Sequence, residues 1–358
     1  MFGIYRMLLA FLVVFGHLGG IPAIGRYAVF GFYILSGYLM TYIMHNTYGY
    51  SIKGVLQYSM NRFLRIYPVY WISCIISLLV IYYVGENYTK LFYPDIYFPN
   101  SYFASIRNAL IFFPIYHATP KLIPPAWTLT VELFFYVAIG LGVSKNRIIT
   151  LSWFSFSLIY TIIINILGLS LTFKYFFFPA ASLPFATGAM IYHWRAYLSP
   201  LVTYIGANMR LYLLIGIVVC DIVNYKLAYS HNAFDSYHYY INYVSQTLII
   251  FILSSIDKPI PSLKMIDKIF GDFSYPIYLI HFQAGIITVV LSSYLGINLV
   301  MPKISLALLS IPLILGVSWF LIIFIERPMN VLRDKHKRPA STKPYSIHAI
   351  KYNASIST

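Results

Sequence analysis

The chain has few charged residues and very few acidic ones. Only 10% of its 358 residues are charged, and ten Asp and Glu stand against 25 Lys and Arg. The surface of a soluble protein of this size needs many more charged groups, so the composition excludes an ordinary soluble domain. Hydrophobic residues make up 59% of the chain, which indicates a polytopic membrane protein.

Cysteine is also scarce. Cys74 and Cys220 both lie in apolar segments, so no disulfide framework is predicted, and no Cys or His spacing resembles a zinc site. The chain lacks a Gly-x-Ser-x-Gly elbow, a phosphate-binding loop and a dinucleotide fingerprint. Serine hydrolysis, nucleotide hydrolysis and hydride transfer therefore have no support, and no metal is expected.

Ten apolar segments, each near the roughly 20 residues that cross a bilayer, predict an all-α bundle of about ten transmembrane helices. The predicted spans are 4–21, 27–45, 66–84, 124–142, 148–167, 175–192, 211–227, 239–256, 274–294 and 304–325. With a cytoplasmic N-terminus, 18 of the 25 basic residues lie inside and seven outside. This asymmetry predicts that both termini are cytoplasmic, and it explains the net charge of +15 without nucleic acid.

The spans divide the chain into one large unit and a short tail. Residues 1–330 form a predicted integral-membrane domain, and 331–358 form a basic, polar cytoplasmic tail that we expect to be mobile. The longest loop, 85–123, is external in this topology, and its Phe103–Phe113 stretch predicts a helix lying on the membrane surface. No segment is large enough for a second catalytic domain, so the chemistry must lie within the bundle.

Arg6 and His17 are ionisable residues in the first apolar segment. Eleven residues make about three helical turns, so both side chains face one way, roughly 16 Å apart along the axis. Ionisable groups in a spanning helix usually face the bundle interior or a wet cavity. The pair therefore predicts a functional path from the membrane surface toward its middle.

Glu132 and Asp221 are the two carboxylates well inside the predicted spans. Such a group must be protonated, hydrogen-bonded or paired. Glu132 either orients an imidazole or anchors a helix terminus by hydrogen bonds, and the sequence leaves both interpretations open. Asp221 has no aromatic or basic neighbours, so we interpret it as structural.

Arg62 and Arg65 stand at the cytoplasmic start of the third predicted span. Three residues apart on a helix, their guanidinium groups share a face and could clamp phosphates. A stop-transfer charge signal explains the pair equally well. Coenzyme A would suit such a site, because its phosphates would stay at the surface while its thin pantetheine arm entered the bundle.

Two further groups of small or polar residues interrupt the apolar segments. Ser36 and Gly37 favour close helix packing. Tyr278 and His281 share a polar stripe with Ser274, and His281 fits either a second acid/base group or a hydrogen-bonded core histidine.

The sequence Glu326-Arg327 closes the last predicted span. An ion pair at the membrane interface is the simplest interpretation of these charges.

Taken in order, these segments resemble the acyltransferase-3 family of integral-membrane acyltransferases. The matching motifs are Arg6-x10-His17, the Phe32–Tyr38 Ser-Gly segment, Arg62-x-x-Arg65-Ile66-Tyr67-Pro68, Trp127-Thr128-Leu129-x-Val131-Glu132-x-x-Phe135-Tyr136, Ser274-Tyr275-x-x-Tyr278-Leu279-x-His281 and Glu326-x-Pro328. Thr128 stands where the family commonly has Ser, which keeps a hydroxyl in place.

The resemblance implies transfer of an acyl group, most often acetyl, from cytoplasmic acyl-coenzyme A to a carbohydrate hydroxyl, often on a lipid-linked or cell-surface polysaccharide unit. It implies a bacterial plasma (inner) membrane protein that contacts lipids. The predicted catalytic residues are His17, as base, and Glu132, and the predicted substrate-binding residues are Arg6, Ser36, Arg62, Arg65, Trp127, Tyr278 and His281. An imidazole suits removal of a proton from a sugar hydroxyl near neutral pH.

Two mechanisms and two other kinds of protein remain open at this point. One of these proteins is another type of integral-membrane acyltransferase that acts on lipid or protein, which would explain a histidine in the membrane but not the spacing from Arg6 to His17. His17 either activates the hydroxyl directly or carries the acyl group itself before passing it on. A transporter or flippase of a lipid-linked sugar or small solute would also contain polar residues at the membrane midplane, although the inverted halves typical of many transporters are not seen in this sequence.

Overall fold

The computed structural model describes residues 2–114, 119–235, 237–256, 261–297, 299 and 302–335. Within these ranges the chain is helical, without β-strands. The helices are α1 (Phe2–His17), α2 (Ile24–Ile43), α3 (Ile52–Val84), α4 (Glu86–Phe92), α5 (Tyr102–Leu110), α6 (Ala126–Gly140), α7 (Arg147–Ile166), α8 (Phe178–Tyr204), α9 (Ala207–Ser230), α10 (Tyr237–Ser254), α11 (Pro261–Tyr294), α12 (Ile304–Leu321) and α13 (Arg327–Lys335). Short π-helical segments are Met44–Tyr48, Thr172–Phe176 and Ile322–Glu326.

Every predicted span overlaps one of these helices, and the all-α fold is confirmed. Among the described residues, six helical stretches are long and apolar enough to cross a membrane: Ile24–Tyr48, Ile52–Val84, Arg147–Ile166, Ala207–Ser230, Leu263–Tyr294 and Ile304–Lys335. The helices α1 and α6 are apolar but shorter. The count of ten spans and the cytoplasmic position of the termini stay predictions.

The structure corrects the starts of two predicted spans. Helix α3 begins at Ile52 and α11 at Pro261, well before the predicted starts at 66 and 274. Hydropathy detects only the apolar part of a helix, whereas these helices continue into more polar sequence. The Ser51 side chain accepts a hydrogen bond from the Gly54 amide at 3.2 Å and caps the true start of α3.

The centre of the bundle is formed by α1, α2 and α11. Helix α1 packs between α2 and α11, and α2 also packs on α8 and α10. A Cβ atom added at Gly37 would lie 2.1 Å from the Phe185 carbonyl oxygen, and one at Gly188 would lie 2.0 Å from that of Ile34. Helices α2 and α8 therefore touch backbone to backbone, which confirms the packing role predicted for Gly37.

Helices α7 and α9 lie at the periphery. Few of their residues are buried in the bundle, and large apolar side chains such as Phe156, Ile166 and Val219 are exposed. Apolar side chains pointing outward would be unfavourable in water but match the hydrocarbon of a bilayer. The outer surface is therefore that of a membrane protein.

One end of the bundle, which we call the basic face, is where α1 and α3 begin and α13 ends. Arg6, Arg62 and Arg333 from these three helices line one cavity there. Helix α13 continues through Lys335, so the predicted domain boundary at 330 falls inside it. The remaining tail, 336–358, lies outside the described residues.

The opposite end is covered by the segment from α4 to α6. A helix is present at the predicted stretch as α5, which ends at Leu110 rather than Phe113, and its position on the membrane surface stays a prediction. Lys121 is buried and its ammonium donates to Asp95 at 2.8 Å. Burial lowers the pKa of Lys121 from its ordinary value, and the hydrogen bond to Asp95 opposes that shift.

Candidate active site

A cavity of about 250 Å³ lies between α1, α2, α3, α6, α11 and α13. Four guanidinium groups line it, those of Arg6, Arg62, Arg65 and Arg333, together with a single carboxylate, Glu132. Most other lining residues are apolar or aromatic. So much positive charge inside an apolar bundle favours the binding of an anion, because unpaired buried charges are strongly unfavourable.

Arg62 and Arg333 are held side by side by one amide. The Asn61 Oδ1 atom accepts from Arg62 Nη2 at 2.5 Å and from Arg333 Nη2 at 3.3 Å. Arg333 also donates to Asn330, and Arg62 contacts the Met40 sulfur at 3.5 Å. No carboxylate lies among these contacts, so both positive charges remain available.

Arg65 and Arg6 lie in the same cavity with different partners. Arg65 Nη1 is 3.6 Å from Glu326 Oε1. Glu326 is buried and forms its ion pair with Arg65, whereas the neighbouring Arg327 is exposed. The Arg6 guanidinium has no hydrogen-bond or ion-pair partner among the described residues, which leaves it free for a ligand.

Glu132 forms a compact polar group with two hydroxyls. Its Oε1 atom accepts from Ser36 Oγ at 2.5 Å and from the Tyr136 hydroxyl. Hydroxyl donors of this kind stabilise a carboxylate inside a bundle. Glu132 therefore lies in the cavity, as an anchor between α2 and α6, with both of these partners also lining it.

Tyr278 lies between the cavity and the next layer of residues. Its hydroxyl contacts Thr128 Oγ1 and donates to the Pro125 carbonyl at 3.3 Å, and its ring meets Phe32 at 6.0 Å. All of these residues except Pro125 line the cavity. The Tyr278 backbone carbonyl, on its other side, accepts from His281 Nδ1 at 2.8 Å.

His17 and His281 form a directly bonded imidazole pair. His17 Nδ1 lies 2.9 Å from His281 Nε2, with the two ring planes within 6° of parallel. A carbonyl can only accept, so His281 Nδ1 carries the proton that bonds to Tyr278. With His281 neutral, its Nε2 accepts the Nδ1 proton of His17. The lone pair of His17 is then on Nε2, the atom needed for a base.

The two imidazoles differ sharply in exposure. His281 is fully buried, whereas His17 at the end of α1 is exposed. The His17 ring also packs against Phe282 at 5.0 Å, and Phe282 packs against Tyr93 at 4.6 Å. His17 is therefore held on one side by its neighbours and open on the other.

The predicted site residues separate into three places. The cavity contains Arg6, Ser36, Arg62, Arg65, Glu132 and Tyr278. His17 and His281 lie in the adjoining layer. Trp127 lines neither part, because its ring packs against Tyr175 at 5.3 Å and Phe176 at 5.1 Å.

Arg333 is the principal site residue that the sequence reasoning missed. It lies beyond the last apolar segment, in a basic stretch interpreted as tail. Its seven-residue spacing from Glu326, about two helical turns, is the one signal that could have placed it near the same surface. Asn61, which carries no charge, gave no signal at all.

Comparison with known families decides the class of the protein. The model of the acyltransferase-3 family, described as an acyltransferase domain, matches residues 4–323. The chain belongs to the acyltransferase-3 family. Comparisons with curated proteins and with solved structures give no match.

As a member of the acyltransferase-3 family, the protein is an integral-membrane acyltransferase. Membership favours this activity over the transporter considered above. The match covers the imidazole pair and every residue that lines the arginine cavity except Arg333. The described residues of this acyltransferase contain no group of three or more His, Cys, Asp or Glu side chains placed to hold a metal.

Proposed function

We propose that this acyltransferase moves an acetyl group from cytoplasmic acetyl-coenzyme A to a hydroxyl of a carbohydrate, on a lipid-linked or cell-surface polysaccharide unit of a bacterial plasma membrane. The observation that carries the proposal is the cavity with four guanidinium groups and one carboxylate. Coenzyme A has several phosphate charges at one end and an uncharged thioester at the other, and this distribution matches the bundle.

The donor fits the two-part site. Its phosphates would bind the arginines near the basic face, since guanidinium groups bind phosphate oxygens in bidentate fashion. His17 is eleven residues beyond Arg6 on α1, roughly 16 Å along the helix. The slender pantetheine arm would cover this distance past Tyr278, and the thioester would then reach the imidazole pair.

His17 Nε2 is the proposed base. In direct transfer it takes the proton of the acceptor hydroxyl while the oxygen attacks the thioester carbon and the carbon–sulfur bond breaks. The proton then passes from His17 to the departing thiolate, which gives free coenzyme A and the acetyl ester. In the two-step alternative the same Nε2 atom carries the acetyl group, so the His281 contact serves either route.

The acceptor would approach from the other end of the bundle. His17 lies at the far end of α1 from the basic face and is exposed there, close to the aromatic contact between Phe282 and Tyr93. Aromatic rings offer apolar faces on which a sugar ring can pack. The proposal of a carbohydrate acceptor comes from the family resemblance. The proposed side of its entry comes from the position of His17.

The test measures transfer of a radiolabelled acetyl group from acetyl-coenzyme A by the purified, detergent-solubilised protein. Without an acceptor, slow hydrolysis of acetyl-coenzyme A to labelled acetate serves as the measure of activity. His17→Ala should lower turnover by about 10²- to 10⁴-fold, the usual contribution of a general base. His231→Ala, a change at the exposed histidine that follows the end of α9, is the matched control and should retain activity. Near-normal turnover by His17→Ala would remove His17 from the mechanism.

A further inference from the structure

The cluster of Asn61, Arg62 and Arg333 contains more hydrogen-bond donors than the protein itself uses. Asn61 Nδ2, Arg62 Nε and Arg333 Nε are buried and have no hydrogen-bond partner within the described residues. Asn61 and Arg333 are only 1% and 9% exposed. Buried donors are nearly always satisfied, so three unsatisfied donors beside two positive charges indicate the place of an anion.

The charge around this cluster differs from that around Arg65. Arg65 has Glu326 as a partner, whereas the hydrogen bonds of Arg62 and Arg333 go to neutral acceptors, chiefly Asn61. The Asn61 amide thus holds two like charges together without cancelling either. Such a fork suits a group with two negative charges and several oxygens, as in a phosphate monoester.

The order of the arginines along the bundle identifies which phosphate this is. Arg62 precedes Arg65 by three residues, which places it about 4.5 Å closer to the basic face, and Arg333 stands with it. In coenzyme A the 3′-phosphate of the ribose lies at the end farthest from the thioester, and the diphosphate lies between them. The outer pair would meet the 3′-phosphate, and Arg6 with Arg65 would meet the diphosphate.

We propose that Arg62 and Arg333, joined through Asn61, form a subsite for the 3′-phosphate of coenzyme A. This rests on the proposed function, and it names the part of the donor that each arginine pair recognises. Arg333 lies ten residues beyond the end of the matched segment, so α13 adds a residue to the donor site that the family match does not include. The subsite would distinguish coenzyme A from its 3′-dephospho form.

The experiment measures the equilibrium affinity of the purified full-length protein for coenzyme A and for 3′-dephospho-coenzyme A by titration calorimetry, which needs no acceptor. The unsubstituted protein should bind coenzyme A about 10- to 100-fold more tightly, the usual effect of a charged hydrogen-bonded contact. Arg333→Gln should remove most of this advantage and leave the affinity for the dephospho form unchanged within about threefold. Arg327→Gln, at an exposed arginine on the same helix, should change neither affinity.

Asn61→Asp gives a second, nearly isosteric variant. Its carboxylate would still accept hydrogen bonds from both arginines, so the fold is preserved. Its negative charge would neutralise part of their positive charge and abolish the preference for coenzyme A over the dephospho form. Equal affinities of the unsubstituted protein for both ligands, or equal weakening of both by Arg333→Gln, would overturn the subsite. Binding of neither ligand by the unsubstituted protein would instead overturn coenzyme A as the donor.

Discussion

His281 should control the rate of transfer without touching either substrate, because it fixes the proton of His17. His281→Leu removes the acceptor that lies 2.9 Å from His17 Nδ1. A neutral hydrogen bond contributes about 0.5–1.5 kcal/mol. At 1.4 kcal/mol per factor of ten, its loss alone would lower the ratio of the active to the inactive tautomer of His17 by roughly 2- to 12-fold. The freed ring also loses its orientation, and we expect kcat to fall by about 10- to 100-fold in total.

The measurement separates this positioning role from a structural one. The variant should show the lower kcat with an unchanged KM for acetyl-coenzyme A, because His281 does not line the arginine cavity. His281→Gln, whose amide oxygen can still accept from His17, should recover most of the rate. A raised KM with normal kcat, or equal loss in the Leu and Gln variants, would refute the relay from Tyr278 through His281 to His17.

Three further outcomes are expected. Arg62→Ala and Arg65→Ala should each raise the KM for acetyl-coenzyme A far more than that for the acceptor, by a loss of about 1.5–3 kcal/mol in binding, which initial-rate kinetics would measure. Gly188→Val should prevent a stable bundle, because a Cβ there would lie 2.0 Å from the Ile34 carbonyl oxygen, and size-exclusion chromatography of the solubilised protein would reveal it. Cysteines placed at Tyr102 and Lys335 should react with an impermeant thiol reagent from opposite faces of sealed vesicles, since the basic-residue distribution predicts that 85–123 is outside and the tail inside.

Each of these experiments has a control within the chain. Full recovery of activity by Lys at both arginine positions would favour simple topology charge over a phosphate clamp. Gly216→Val tests the packing argument, because a Cβ at Gly216 meets nothing within 4 Å and that variant should fold normally. The labelling needs a background without Cys74 and Cys220, and equal labelling of both test positions from one side would contradict the topology.

Local sequence patterns predicted the helices and several site residues for clear physical reasons. The period of a helix shows which residues share a face, and this placed Arg62 beside Arg65 and His17 in line with Arg6. Hydropathy located the apolar part of each helix but not its polar extension, so the start of α3 at Ile52 was missed.

Contacts between distant segments could not be predicted in this way. His17 and His281 are 264 residues apart, and no local pattern states that their rings meet. In the sequence, Arg333 is indistinguishable from the other basic residues of the tail. Its place in the cavity depends on its contact with Asn61 of α3, which no local pattern reveals. A helical face can be predicted from one segment, but the partner of that face depends on how all the segments pack.

Tyr278 and its neighbours also bear on the permeability of the membrane. Two substrates that meet from opposite sides of a bilayer need access routes that together span it, and an open route would let ions leak down their gradients. In this bundle the Tyr278 side chain, held by Thr128 and packed on Phe32, stands between the arginine cavity and His17. The pantetheine arm is thin, and while bound it would fill the passage beside Tyr278. The donor itself would then block the flow of ions during transfer of the acetyl group.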